Sequence, residues 1–284
     1  VKQKPGERAL EGKGSRRVAD KWAKSEVLRG DVGLARHLPQ TKVMTEKSLD
    51  EMLRKWRMVY VKPIRGSQGN GVMRAELKSG SRSGGVGPRY IYQLGETRRT
   101  FSTYAAFYRS ILEVTKRQGY LVQKGIRMLK HGGRPFDIRL VMQRSPQGVW
   151  VATGTLGRVA HPRKIVTNGS QGGMIYPTAY LLKPFASKVL RSRMLEGMDK
   201  LAVRVAKRLH GAYPGIKELG LDLAVDRQLK PWILEVNTVP DPCPFTLLED
   251  QSMLRRIVRY AKAYGKTYRL HCKKAKRGKR RGML

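Results

Sequence analysis

The sequence predicts a mixed α/β chain of the α+β class, and three observations predict it. Apolar residues make up 40% of the 284-residue chain and charged residues 28%, a globular balance with length for one large domain or two intimate subdomains. Stretches of period-2 alternation come in neighbouring pairs around polar turns, as in "LDLAVDRQLKPWILEVN". Between them lie apolar residues spaced three and four apart, the mark of helices packed on one face. Antiparallel hairpins interleaved with helices give that class.

In chain order, residues 1–19 read as a basic, flexible arm. A helical stretch follows near Lys24 to Arg36 and breaks at Pro39. Ser48 with Glu51 predicts a capping box ahead of Leu49, Met52, Leu53 and Trp56. "MVYVKP" reads as a strand ended by Pro63, "GSQGNGV" as a glycine-rich loop, and "KSGSRSGGVGP" as a hairpin connection. Tyr104, Phe107, Tyr108, Ile111 and Leu112 mark a helix that stops by Gly119. Strands follow at "YLVQK", "DIRLVMQ" and "VWVATGT". Leu190, Met194, Met198, Leu201, Val205 and Leu209 form the core stripe of a long helix. Two more strands and a closing helix near Met253 to Ala261 complete the body, and residues 266–284 read as a basic tail.

Charge is the strongest compositional signal. The chain carries 59 Lys and Arg against 21 Asp and Glu, a formal charge of +38. Without both ends, 44 basic and 19 acidic residues remain, so the body itself is strongly cationic. From Met52 to Leu195 the only acids are Glu76, Glu96, Glu113 and Asp137. Such a field suits polyanions: nucleotides, nucleic acid, acidic peptides or anionic polymers. For the tails, plain solvated charge is the alternative. No apolar run reaches the roughly eighteen residues of a membrane span, and no secretory h-region is visible after Val1. Cys243 and Cys272 form no CxxC and suggest no disulfide framework, which makes a reduced, cytoplasmic setting the default expectation.

Carboxylates are scarce, so their placement matters. On the last strand Glu235 and Asn237 share a face. If the preceding turn is centred between Gln228 and Leu229, Asp222 pairs opposite Glu235. Opposed side chains have Cβ atoms about 4.5–5.5 Å apart. Two such carboxylates repel unless a proton or cation lies between them, and an oxygen-only set suits magnesium. The alternative is a solvated polar face on a hairpin; the hydrophobic flanks of "ILEVN" weigh against it. Lys62 ends a strand before Gly66, Gly69 and Gly71, where backbone N–H groups can wrap an anion or simply make a turn. Arg139 in "FDIRLVMQ" and Arg158 in "TLGRVAHP" meet either an anion or an acid such as Asp137 or Glu113. "TNGSQGGMIYP" offers Asn168 and Ser170 on a second glycine-rich segment. There is no Walker A, no full GxGxxG, no HExxH and no GxSxG, so P-loop, Rossmann, zincin and triad chemistry are unsupported.

The order of these parts resembles an ATP-grasp enzyme. "YVKPIRGSQGNGV", "QKGI", "GRPFDIRLVMQ", "IVTNGSQGG" and "ELGLDLAVDRQLKPWILEVN" are similar to the YheC/YheD endospore coat-associated family, over roughly residues 20 to 262. The resemblance implies two α+β lobes clamping ATP between antiparallel sheets, residues 20–122 forming the first and 123–265 the second. It implies that Lys62, Gly66, Ser67, Gln68, Gly69 and Gly71 handle the phosphates, and that Gln123, Lys124, Gly125 and Ile126 hold the adenine. Asp222, Glu235 and Asn237 would hold Mg2+. Arg139, and less closely Arg158, would be catalytic residues of the cleft. Lys124 departs from relatives that carry an acid after the hinge glutamine. On the same resemblance, the separate N-terminal substrate domain of many ATP-grasp ligases is expected to be absent or shortened.

The implied activity is Mg-ATP-dependent carboxylate–amine ligation through an acyl-phosphate, acting on an anionic carboxylate or peptide. Association with spore-coat proteins or anionic polymers, in the mother-cell cytoplasm or the endospore coat, is the matching expectation. A non-catalytic spore-coat protein that binds ATP is the second reading. A nucleic-acid binder is the third, without an RNP motif or zinc finger to support it.

Overall fold

Alternating apolar positions and helix caps build the first lobe of this computed structural model, which describes residues 17–66, 69–79, 87–116, 118–162, 164, 165, 167, 172–272 and 275–278. Two short helices come first, α1 (Lys21–Arg29) and α2 (Val32–Ala35), capped by Asp20 and Asp31 and parted at Gly30. The single predicted helical stretch is therefore two. After β1 (Thr41–Val43), α3 (Glu46–Trp56) begins one turn earlier than the predicted Ser48–Glu51 box. Thr45 Oγ1 accepts from the Ser48 amide at 3.1 Å and Ser48 Oγ from the Thr45 amide at 2.8 Å. Threonine thus takes the cap position and Ser48 the third helical one.

Next come β2 (Met58–Pro63), β3 (Met73–Lys78), β4 (Arg89–Leu94), β5 (Thr97–Phe101), α4 (Tyr104–Thr115) and β6 (Tyr120–Lys124). They form a six-stranded sheet in the order β1-β6-β2-β3-β4-β5, each registered neighbour pair antiparallel. Leu49, Met52 and Leu53 of α3 and Phe107 and Ile111 of α4 bury against Val59, Val61, Met73, Ala75 and Tyr92.

The second lobe contains β7 (Lys130–His131), β8 (Arg134–Arg144), β9 (Trp150–Val159), β10 (Met174–Tyr176), α5 (Thr178–Leu182), α6 (Lys188–Ala212), β11 (Glu218–Val225), β12 (Pro231–Asn237), a 3-10 turn (Cys243–Leu247), α7 (Ser252–Ala263) and β13 (Lys276–Arg277). Its sheet runs β12-β11-β8-β9-β10-β13, with β7 paired to β8. One face carries the largest core, where Met198, Leu201, Val205 and Leu209 of α6 meet Leu219, Leu221 and Leu223 of β11. Leu28 of α1 and Leu34 of α2 join that core, so these helices precede the first sheet in the chain yet pack on the second lobe. The other face carries Phe245, Leu248 and Ile257 over Val141, Leu156 and Ile175 at one end. Its remainder faces the first lobe.

Two readings of the sequence change here. The cysteines are joined, Cys243 to Cys272, because the chain beyond α7 turns back over the 3-10 turn. Much of the segment read as a tail is held on the body. Lys266 Nζ and the Tyr268 hydroxyl bond Glu218, and β13 pairs parallel with β10. Among the described residues no helix is long and apolar enough to cross a membrane.

Candidate nucleotide and metal site

The cleft between the lobes is built on the hairpin β11–β12. Its turn is centred on Gln228, since Val225 pairs Pro231 and Leu223 pairs Ile233. A bulge at Leu234 then adds one residue, and Asp222 falls opposite Glu235 and Gly220 opposite Asn237. The bulge resets the alternation, so Ile233 and Val236 both face the core while Leu234 and Glu235 line the cleft. It also leaves the Leu234 carbonyl to accept from Lys62 Nζ at 3.1 Å, a bond between lobes.

Asp222 also sits opposite Arg139 across β8, and Asp137 opposite Arg158 across β9. The four charges form one buried network. Arg139 Nε donates to Asp222 Oδ1 at 2.6 Å, Arg158 Nη2 lies 3.0 Å from Asp222 Oδ2, and Arg158 grips Asp137 through Nε and Nη2 at 2.7 and 2.5 Å. Thr167 Oγ1 donates to the same aspartate at 2.5 Å. Burial works against the Asp222 charge, but the two guanidiniums outweigh it and hold its carboxyl below the usual range. Burial likewise opposes the charge on Arg158, which Asp137 and Asp222 more than offset, so it stays ionised. Arg139 pairs with neither Asp137 nor Glu113, the acids that sequence alone offered, but with Asp222.

Lys62, 9% exposed, ends β2 on the opposite wall. Besides Leu234, its ammonium donates to Gln123 Oε1 at 3.0 Å, and Gln123 Nε2 donates to Thr41 Oγ1 at 3.0 Å. Both of these hydrogen-bond partners are neutral. Burial, then the neighbouring charges of Lys21 and Lys24, pull it down to about 8 from 10.5 against the opposing pull of Glu235 and Asp222. Lys62 is thus a cation short of an anion.

Lys21 and Lys24 join the site, although no motif of the sequence points to them. They lie three apart in "DKWAK" with Leu28 on the same face, and lysines on a helix's buried stripe were the available signal. Lys21 Nζ donates to the Gly66 carbonyl at 2.7 Å and lies 3.8 Å from Glu235 Oε1. Lys24 Nζ donates to the Val18 carbonyl at 2.9 Å. Gly66, Gly69 and Gly71 all adopt positive φ, 137°, 75° and 71°, which a side chain would strain. Gly69 borders the cleft; Ser67, Gln68, Asn168 and Ser170 lie outside the described residues. Gly125 supports the hinge by close approach, because a Cβ there would meet Met58 Sδ at 1.9 Å.

The cleft is open to solvent and holds about 100 Å³ of room for water-sized atoms. Tyr60, Val72, Ile126, Met128, Ile165 and Leu234 give it apolar walls, with Gln123 and Lys124 at the hinge. Lys62, Asp137, Asp222 and Glu235 line it with charge. Apolar walls suit a base, and an under-neutralised lysine beside carboxylates suits phosphates with a divalent cation. Asp222, Glu235 and Asn237 offer oxygen only, the donor set of magnesium. Each Asp222 oxygen already takes one guanidinium, yet a carboxylate has about four lone-pair sites, so room remains. Among the described residues the Asn237 side-chain amide makes no hydrogen bond, and no three His, Cys, Asp or Glu are grouped to hold a metal without it. The residues fit the cation and the nucleotide.

A family model described as YheC/D-like ATP-grasp matches residues 14–267. The chain belongs to that family. The endospore coat-associated protein YheD of Bacillus subtilis (strain 168) is 25% identical over 224 residues, covering 78% of this chain and 48% of YheD. YheC of the same organism is 25% identical over 230 residues, covering 79% of this chain and 61% of YheC. The chain thus spans about half to three fifths of the curated relatives it matches. Among solved structures, the biotin carboxylase domain of Hydrogenobacter thermophilus 2-oxoglutarate carboxylase, crystallised with MgADP, ADP and bicarbonate, matches with a TM-score of 0.51 at 14% identity. That match covers 88% of this chain and 46% of the other. The fold is the two-lobed α+β ATP-grasp fold.

Proposed function

We propose that this chain is an Mg-ATP-dependent ligase joining a carboxylate to an amine through an acyl-phosphate. The observation that carries the reading is Asp222 and Glu235 in register across the cleft from an under-neutralised Lys62. Magnesium, when bound, would neutralise negative charge on the transferring phosphates. Asp222, Glu235 and Asn237 would hold it, and Lys62, with Lys21 behind it, would hold phosphates. Arg139 and Arg158 fix the Asp222 carboxylate from two sides, so Arg158, enclosed by Asp137, Asp222 and the sheet, acts as a positioning residue. Arg139 lies nearer the Asn237 side, against Gly220. The γ-phosphoryl group would pass to a carboxylate oxygen with ADP leaving. The amine nitrogen would then attack the acyl carbon and expel phosphate.

The body's positive charge fits an anionic co-substrate, and kinship with two coat-associated proteins supports a place at the endospore coat. The test is ADP release with Mg-ATP and paired acidic amino acids or peptides and amines. Release that needs both partners, and is lost in Glu235→Ala and Lys62→Ala, supports the ligase. A second reading, an ATP-binding but non-catalytic coat component, is favoured by the double ion pairing of Asp222, which is already neutralised without a metal. ATP binding with no release in any pairing would select it.

A further inference from the structure

At the hinge, three ammonium groups and two indoles alternate across the junction of the lobes. Lys55 Nζ lies 5.1 Å from the Trp56 ring centre, and Lys124 Nζ lies 3.9 Å from Trp56 and 5.2 Å from Trp232. Lys230 Nζ lies 4.0 Å from Trp232. Each ring is fixed by its own side. Trp56, at the end of α3, donates Nε1–H to Gln40 Oε1 at 2.9 Å. Trp232, on β12, donates to Asp226 Oδ2 at 2.7 Å, and Asp226 also caps the hairpin turn through the Gln228 and Lys230 amides. Lys124 is the last residue of β6, and its amide bonds the Gln40 carbonyl at 2.8 Å. Only four residues later the chain pairs with the second lobe, at Met128 opposite Asp226.

We propose that Lys124 is a positioning residue for the nucleotide. Its ammonium, clasped between a rigid ring from each lobe, sets the angle between the lobes and so the width of the cleft. This rests on the nucleotide reading above. A cation desolvated over indole faces is held strongly, and Trp is the best such ring. Burial, with Lys230 and Lys55 close by, pulls the Lys124 ammonium below its ordinary value while Asp226 opposes the change. The side chain lies over both rings at a position where it also borders the cleft. Removing the charge frees the lobes to sample wider angles, and nucleotide affinity falls by the fraction of clefts no longer poised.

The test is calorimetric titration of Mg-ATP into wild type, Lys124→Met, Lys124→Arg, Trp232→Leu and the Lys124→Met/Trp232→Leu double variant. The expected result is about tenfold weaker binding (~1.4 kcal/mol) in each of the neutral and ring variants. The double variant should be weaker still by no more than about threefold, and Arg should rescue to within about threefold. Wild-type affinity in Lys124→Met, or Arg failing as Met does, overturns the proposal. If the wild type binds no Mg-ATP, the nucleotide reading falls and amide exchange alone judges the clasp. Exchange at residues 124–126 should quicken about tenfold in Lys124→Met and not in Lys124→Arg. Equal rates in all three proteins overturn it.

Discussion

Nucleotide binding should draw a proton from solvent, because Lys62 is held at about 8 by burial beneath the other lysines. At pH 8 such a group is half protonated. Triphosphate oxygens supply the anion that Gln123 and Leu234 do not, and should return the lysine at least to its ordinary range. Binding should then take up about half a proton per nucleotide at pH 8, about 0.9 at pH 9 and only about 0.1 at pH 7. The γ-phosphate of ATP is already deprotonated at the upper two values. The assay is titration calorimetry of Mg-ATP in pairs of buffers with different ionisation enthalpies, where the slope of observed against buffer enthalpy counts protons. Lys62→Met removes the titrating group, so any binding left in it should show a flat plot at pH 9. A zero slope for wild type at pH 9, or the same slope in Lys62→Met, would refute the reasoning.

The same lysine sets a stability prediction. Its folded pKa lies below the unfolded 10.5, so the unfolded chain binds more protons between about pH 8 and 10.5 and stability rises with pH across that window. At about 1.36 kcal/mol per pKa unit, Lys62→Met should gain up to about 3 kcal/mol at pH 7 in urea unfolding, less its lost hydrogen bonds, and should lack the alkaline rise. Gln123→Glu places a carboxylate on Lys62, so proton uptake at pH 8 should vanish and ATP should bind more weakly, both read by the same calorimetry. Asp222→Asn leaves Arg139 without its ion-pair partner, while Arg158 keeps Asp137; the expected loss is about 3 kcal/mol, measured as a shifted urea midpoint. Reducing the Cys243–Cys272 link, which spans 29 residues, should cost up to about 3.5 kcal/mol and expose the segment after α7 to proteolysis. Intact mass with and without reductant reads the link directly.

The site was legible where local pattern and register agree. Asp222 does face Glu235, although the turn is centred half a residue from the expected point; the bulge at Leu234 makes up the difference. A bulge leaves little trace in period-2 alternation, which alone would put Ile233 on the Glu235 face, whereas Ile233 lies in the core. Lys62 and its glycine loop stand where a strand end ahead of "GSQGNG" predicts. The hairpin β4–β5 went unread because β5, "TRRTF", is an exposed edge with no apolar alternation. Partners distant in sequence were not legible. Arg139 finding Asp222, Lys21 reaching Glu235 and Cys243 meeting Cys272 depend on strand order and on α1 crossing to the second lobe. Asp137 was conspicuous as one of four acids in a long basic stretch, but only the alignment of β8 with β9 gives it to Arg158.

The most direct test of the central claim is calorimetric titration of ATP into the wild type and Glu235→Ala, each with magnesium and with EDTA. Removing Glu235 also strips a negative charge from beside Lys21 and Lys62, so free ATP can bind the variant undiminished; the dependence on magnesium is the decisive quantity. The clamp predicts tighter binding with magnesium in wild type and no magnesium effect in the variant. Equal magnesium dependence in both proteins, or no ATP binding in any condition, would contradict it.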